Sequence, residues 1–158
     1  MSVMSMPVLP LSVRPIPGAW NRREGVVRSV AGAPPATAVS LVQQAKRGLA
    51  EVEWETNPAE KFVKAYLCAL RTAAAMLALR GRPHRGRARP TSAWVLLTVV
   101  APELREWAAF FESFSATCAA INAGITRAIT QRSADDLTRQ AAQFLQLVEQ
   151  AVRGTRVP

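Results

Sequence analysis

Histidine occurs once and cysteine twice in the 158 residues, so the ligand spacing that zinc requires is missing, and neither a metal nor a cofactor is expected. The two cysteines, Cys68 and Cys118, both fall on apolar helical faces, where a free thiol acts as a small hydrophobe. No disulfide framework follows from so few. Apolar runs are short: Ala93 to Leu97 is among the longest, far below the span of a bilayer. The opening residues Met1 to Pro10 lack an early basic region, and their prolines interrupt any signal core, so cytoplasmic residence is the expectation. No stretch alternates with the period of two that a half-buried strand needs. No catalytic or ligand-binding motif stands complete.

What is abundant is apolar residues, 49% of the chain, and positive charge, with a net +9. A chain of this length buries one ordinary core without staples. The charge is unevenly placed. Residues 1–40 carry Arg14, Arg22, Arg23 and Arg28 against Glu24, and residues 80–90 carry Arg80, Arg82, Arg85, Arg87 and Arg89 with no acid. Elsewhere the signs nearly balance, with five basic and four acidic groups over 41–79 and six of each over 91–158. The basicity therefore belongs to two irregular segments, where contact with a polyanion is to be sought.

Residues 1–35 are rich in proline, glycine, serine and valine without a sustained period, and read as a flexible basic tail. A first helix is expected from Ala36 to about Trp54, burying Ala38, Leu41, Val42, Ala45, Leu49 and Val52. Its end, Glu51-Val-Glu-Trp-Glu55, sets acids at the negative end of a helix dipole, to be left in water or neutralised by a partner or by the basic loop that follows. Asn57-Pro-Ala-Glu60 is a helix start, with Asn57 as cap, Pro58 in the first turn and Glu60 placed to return the bond. The second helix puts Phe62, Tyr66, Leu70, Ala73 and Leu77 on one face and leaves Lys61, Lys64 and Arg71 for water.

Arg80-Gly-Arg-Pro-His-Arg-Gly-Arg-Ala-Arg-Pro90 holds too many glycines, prolines and arginines to pack, and reads as an exposed loop between two helices. Its arginines suit bidentate contact with phosphate. Arg80, Arg82, His84, Arg85, Arg87 and Arg89 are the candidate nucleic-acid-binding residues, with a solvated linker as the bland alternative. Thr91 or Ser92 caps a short third helix with Trp94, Leu97 and Val100, ended by Pro102. A long fourth helix from Pro102 to about Asn122 carries the stripe Leu104, Trp107, Ala108, Phe111, Phe114, Cys118 and Ile121, continuing to Ile125. Ser133 to Asp136 cap a fifth, whose stripe is Leu137, Ala141, Phe144, Leu145, Val148 and Val152. The expected fold is all-α: an up-and-down bundle of four long helices plus one short one over residues 36–153. Phe110 and Trp94 lie off the main stripes and are candidates for a homodimer or other protein contact.

The stretches Ala65 to Ala78, the Arg/Pro loop, Ser92 to Leu97, Ala101 to Phe111, Ala134 to Leu137 and Phe144 to Glu149 resemble a small actinobacterial family of HEPN-like proteins, the higher-eukaryote and prokaryote nucleotide-binding domains. The likeness covers about residues 36–152 and is most specific from Trp94 to Phe111. It implies an up-and-down helical bundle that often dimerises. Many HEPN proteins are ribonucleases in which an arginine, a gap of four to six residues and a histidine promote attack of a ribose hydroxyl on the adjacent phosphate without a metal. Here His84 follows Arg80 after a gap of three and Arg71 after a gap of twelve, so the motif is not intact. Two functions remain: a non-catalytic module that contacts the RNA or DNA backbone through its arginines, or a metal-independent ribonuclease using His84 with Arg80 or Arg85. A protein adaptor is a third.

Overall fold

Every hydrophobic stripe in the chain must find a partner, and three long helices supply most of the cover. The computed structural model describes residues 34–81 and 92–154. It contains α1 (Ala36–Val52), α2 (Pro58–Arg80), α3 (Ala93–Val100), α4 (Arg105–Glu112), α5 (Ser115–Asn122) and α6 (Gln131–Arg153), with a 3-10 turn at Pro102–Leu104. Helices α1, α2 and α6 pack on one another, α3 crosses α2, and α5 touches α2. Lys61, one turn into α2, pairs with Asp135, one turn into α6, at 2.7 Å, so these two helices start at the same end. Among the described residues there is no strand. The all-α bundle is as expected; the tail over 1–33 and the loop residues 82–91 lie outside the described residues.

α1 and α2 start and stop where their residues dictate. Pro35 precedes α1 in an extended conformation. Asn57 accepts from the Glu60 amide at 3.0 Å, and Pro58 occupies the first turn. The reciprocal bond comes from upstream rather than from Glu60: the Glu55 carboxylate accepts from the Asn57 amide at 3.1 Å. α2 stops at Gly81, whose φ of +94° is costly for a residue bearing a Cβ. By length and apolar content α2 could cross a membrane, but much of it is buried in the bundle, as a core helix would be.

The single long fourth helix is not formed. The chain runs instead as the 3-10 turn, α4 and α5. Ser113 Oγ donates to the Phe110 carbonyl at 2.6 Å and Ser115 Oγ to the Glu112 carbonyl at 3.0 Å. Such hydroxyls compete with the helix ladder, and Ser113 and Phe114 form the turn that separates the two helices. α5 ends at Gly124, with φ +93°; the Ile125 amide then reaches back to the Ala120 carbonyl at 2.9 Å. Ile125 is thereby carried out of the stripe into solvent. The start of α6 also shifts. Thr130 is the cap and Ser133 the third helical residue, each side chain bonding the other's amide.

The core is aromatic at its centre. Trp94 stacks on Phe111 at 5.3 Å, Phe111 meets Phe144 at 5.2 Å, and Trp107 stacks on Phe144 at 5.5 Å. Trp94 is 2% exposed, so it is no surface anchor. Its Nε1 donates to Tyr66 Oη at 3.0 Å, which satisfies both buried polar atoms. Phe110 also packs inward, edge-on to Phe111 and Phe114.

Candidate nucleic-acid interface

Of the six residues singled out by charge, Arg80 is the one that lies among the described residues. It is not an exposed loop residue. It occupies the last position of α2, with its side chain only 10% exposed and Nη2 set 2.6 Å from Glu103 Oε2. Nη1 donates to the Val100 carbonyl at 3.1 Å. The guanidinium thus meets both a carboxylate and the negative end of α3. Burial behind α3 and the 3-10 turn, not solvent, holds it. Arg82, His84, Arg85, Arg87 and Arg89 fall outside the described residues, as does Thr91 of the two cap candidates. Ser92 caps α3, accepting from the Trp94 amide at 3.0 Å. The basic segment is therefore bounded by Gly81 on one side and Ser92 on the other, and the Arg80–Glu103 pair joins α2 to the 3-10 turn that follows α3.

Glu103, the partner of Arg80, carries no mark of that role in the sequence. Spacing in the chain carries no signal for a contact across 23 positions. Glu103 Oε1, on the other side of the same carboxylate, is buried without a hydrogen-bond partner, as are Trp107 Nε1 and Gln140 Oε1.

Elsewhere on the bundle several charges are paired. Lys46 of α1 reaches Glu149 of α6 at 2.9 Å, and Lys61 is mostly covered beside Asp135 rather than left in water. That ammonium, then the Gln131 amide, hold the Asp135 carboxyl below its ordinary range. At the turn after α1, Lys64 binds Glu55 at 2.7 Å. The hydrogen bond from Lys64, and next that from the Asn57 amide, lower the Glu55 carboxyl. Burial pushes the thiols of Cys68 and Cys118 up to about 11, so at neutral pH both are protonated and poor nucleophiles. Among the described residues no group of histidine, cysteine and carboxylate side chains could hold a metal ion.

Against families of known proteins, residues 50–149 match the model described as SAV_6107-like HEPN. The chain belongs to this HEPN family. The match runs from the end of α1 through most of α6 and takes in the basic segment; it leaves out the N-terminal 49 residues and with them most of α1. No curated protein and no solved structure matches the chain. For this HEPN domain the fold is thus secured from two directions, the periodicity of the helices and the family match.

Proposed function

We propose that this HEPN domain is a non-catalytic module that contacts the phosphate backbone of RNA or DNA through Arg82, Arg85, Arg87 and Arg89, with His84 among them. The observation that carries this reading is the partition of charge. The described residues, 34–81 and 92–154, hold eleven basic and ten acidic groups, whereas residues 82–91 hold four arginines and no acid. A neutral scaffold that carries one concentrated block of guanidinium is suited to sequence-independent phosphate contact. The commitment of Arg80 to Glu103 supports the non-catalytic part, because the arginine nearest the helix end before His84 is already bound.

The test is fluorescence anisotropy of a labelled single-stranded RNA across a salt series. Binding should weaken along a line in log K against log salt, with a slope of roughly −0.7 for each phosphate neutralised. Replacing Arg82, Arg85 and Arg87 by alanine should flatten that slope; an unchanged slope would remove the segment from the account. Cleavage of the RNA in the presence of chelator, lost in His84→Ala, would favour the ribonuclease instead.

One observation favours a second reading, self-association. Val95 and Val99, one turn apart on α3, are 46% and 62% exposed. A dimer through this face would dissociate in Val99→Asp, as read by sedimentation.

A further inference from the structure

Trp54 stands out from the other tryptophans of the bundle. Trp94 and Trp107 are 2% and 3% exposed, whereas Trp54, in the turn between α1 and α2, is 84% exposed. The turn is held in place: the Trp54 amide donates to the Glu51 carbonyl and the Glu55 amide to the Val52 carbonyl, both at 3.0 Å. Glu55 is occupied by Lys64 and by the Asn57 amide. Glu51 and Glu53, both exposed, precede Trp54 in the chain by three residues and by one. They sit at the negative end of α1, whose last turn carries no basic residue. An exposed indole in an acidic stretch at a helix C-terminus suits a guanidinium: the ring quadrupole, the nearby carboxylates and the dipole all attract it.

The surplus of arginine sits in two segments, and their reach separates them. Residues 82–91 leave α2 at its far end, about 34 Å along the helix from the turn. Tethered at both ends, ten residues extend about 17 Å, which is too short. The N-terminal segment enters α1 at Ala36, about 26 Å from Val52 along that helix. Arg22 and Arg23 precede Ala36 by at least 13 residues, which span about 40 Å even in a proline-rich extended form. They reach with slack, and closing such a loop costs only modest entropy.

We infer that the N-terminal segment reaches back past α1 and docks Arg22 and Arg23 on Trp54 and the acidic stretch of Glu51 and Glu53 that precedes it. The basic tail is then tethered at the opposite end of α2 from the arginine-rich segment, and its charge is withheld from polyanions until salt or a competing ligand frees it.

The experiment uses the full chain with a nitroxide on Asn21→Cys. The buried Cys68 and Cys118 leave the introduced thiol as the target for labelling. The readout is the indole N–H resonances of the four tryptophans, with that of Trp54 identified by its loss in Trp54→Phe. The expected result is strong paramagnetic broadening of the Trp54 signal at low salt, with Trp94 and Trp107 spared and Trp20, next to the label, as the positive control. Recovery of the Trp54 signal in Arg22→Ala/Arg23→Ala, and at high salt, is also expected. Three outcomes would overturn the inference: no broadening of Trp54, broadening that survives the arginine replacements, or broadening of isotope-labelled protein only by spin-labelled protein mixed into the sample. The last would place the arm of a second copy on the turn.

Discussion

Gly48 shows how a single missing carbon sets the approach of two helices. A Cβ built there would lie 2.7 Å from Cys68 Sγ, nearer than packed atoms tolerate. Gly48→Ala gains helix propensity but overpacks the α1–α2 contact, so a net loss of about 1–2 kcal/mol is expected by chemical denaturation. The loss should shrink when Cys68→Ala makes room; equal losses in the two backgrounds would show that the thiol does not set the spacing. The same thiol reports on pH. Unfolded, Cys68 and Cys118 ionise near their ordinary value of about 8.5, whereas burial holds them at about 11 in the fold. Within that window the unfolded chain binds fewer protons, so stability should be level below it and fall as pH rises through it. Cys68→Ala/Cys118→Ala should flatten the decline, measured as Tm between pH 8 and about 11.

At the scale of elements, the joint between α2, α3 and the 3-10 turn depends on one ion pair. Arg80 and Glu103 have side chains 10% and 13% exposed. Removing one partner would leave a largely buried charge, so Arg80→Ala should cost about 2–4 kcal/mol. Arg80→Met/Glu103→Leu, which removes both charges and keeps the volume, should recover most of that loss. A small loss in the single variant would mean that water reaches the carboxylate once the guanidinium is gone. This prediction also separates Arg80 from its neighbours: substitution of Arg82, Arg85 and Arg87 should alter polyanion binding without lowering Tm. The Asn57 cap of α2 was legible as a residue pattern, because a cap is a contact between neighbours in sequence, whereas the box that opens α6 begins at Thr130, three residues before the expected cap. The break between α4 and α5 was not legible. The stripe from Leu104 to Cys118 keeps its spacing through the break, and the diverting hydroxyls of Ser113 and Ser115 look like ordinary surface residues.

For the whole molecule, charge and fold are carried by different parts of the chain. Residues 34–154 with Arg82, Arg85, Arg87 and Arg89 replaced by serine carry a formal charge near +1 rather than +9. Such a variant should keep its helical circular dichroism and elute from a heparin column at much lower salt than the full chain. Loss of the helical signal would show that the basic segments contribute to folding; unchanged elution would place polyanion affinity on the bundle surface. The pairing of Lys46 with Glu149 and of Lys61 with Asp135 argues for the first expectation, since it commits bundle cations to neighbouring helices.

Periodicity by itself determined the helical class and most of the buried set. Leu137, Ala141, Phe144, Leu145, Val148 and Val152 are all buried as their spacing required, and composition located the surplus charge. Tertiary structure decided what each helix end met. It drew Arg80 out of the basic segment to Glu103, took Trp94 from the surface into the aromatic core, covered Lys61 with Asp135 and left Trp54 in solvent. The physical reason is common to these four. A side chain's place on its own helix follows from local geometry, but its burial depends on a partner that arrives from a distant part of the chain, and sequence spacing carries no record of that arrival.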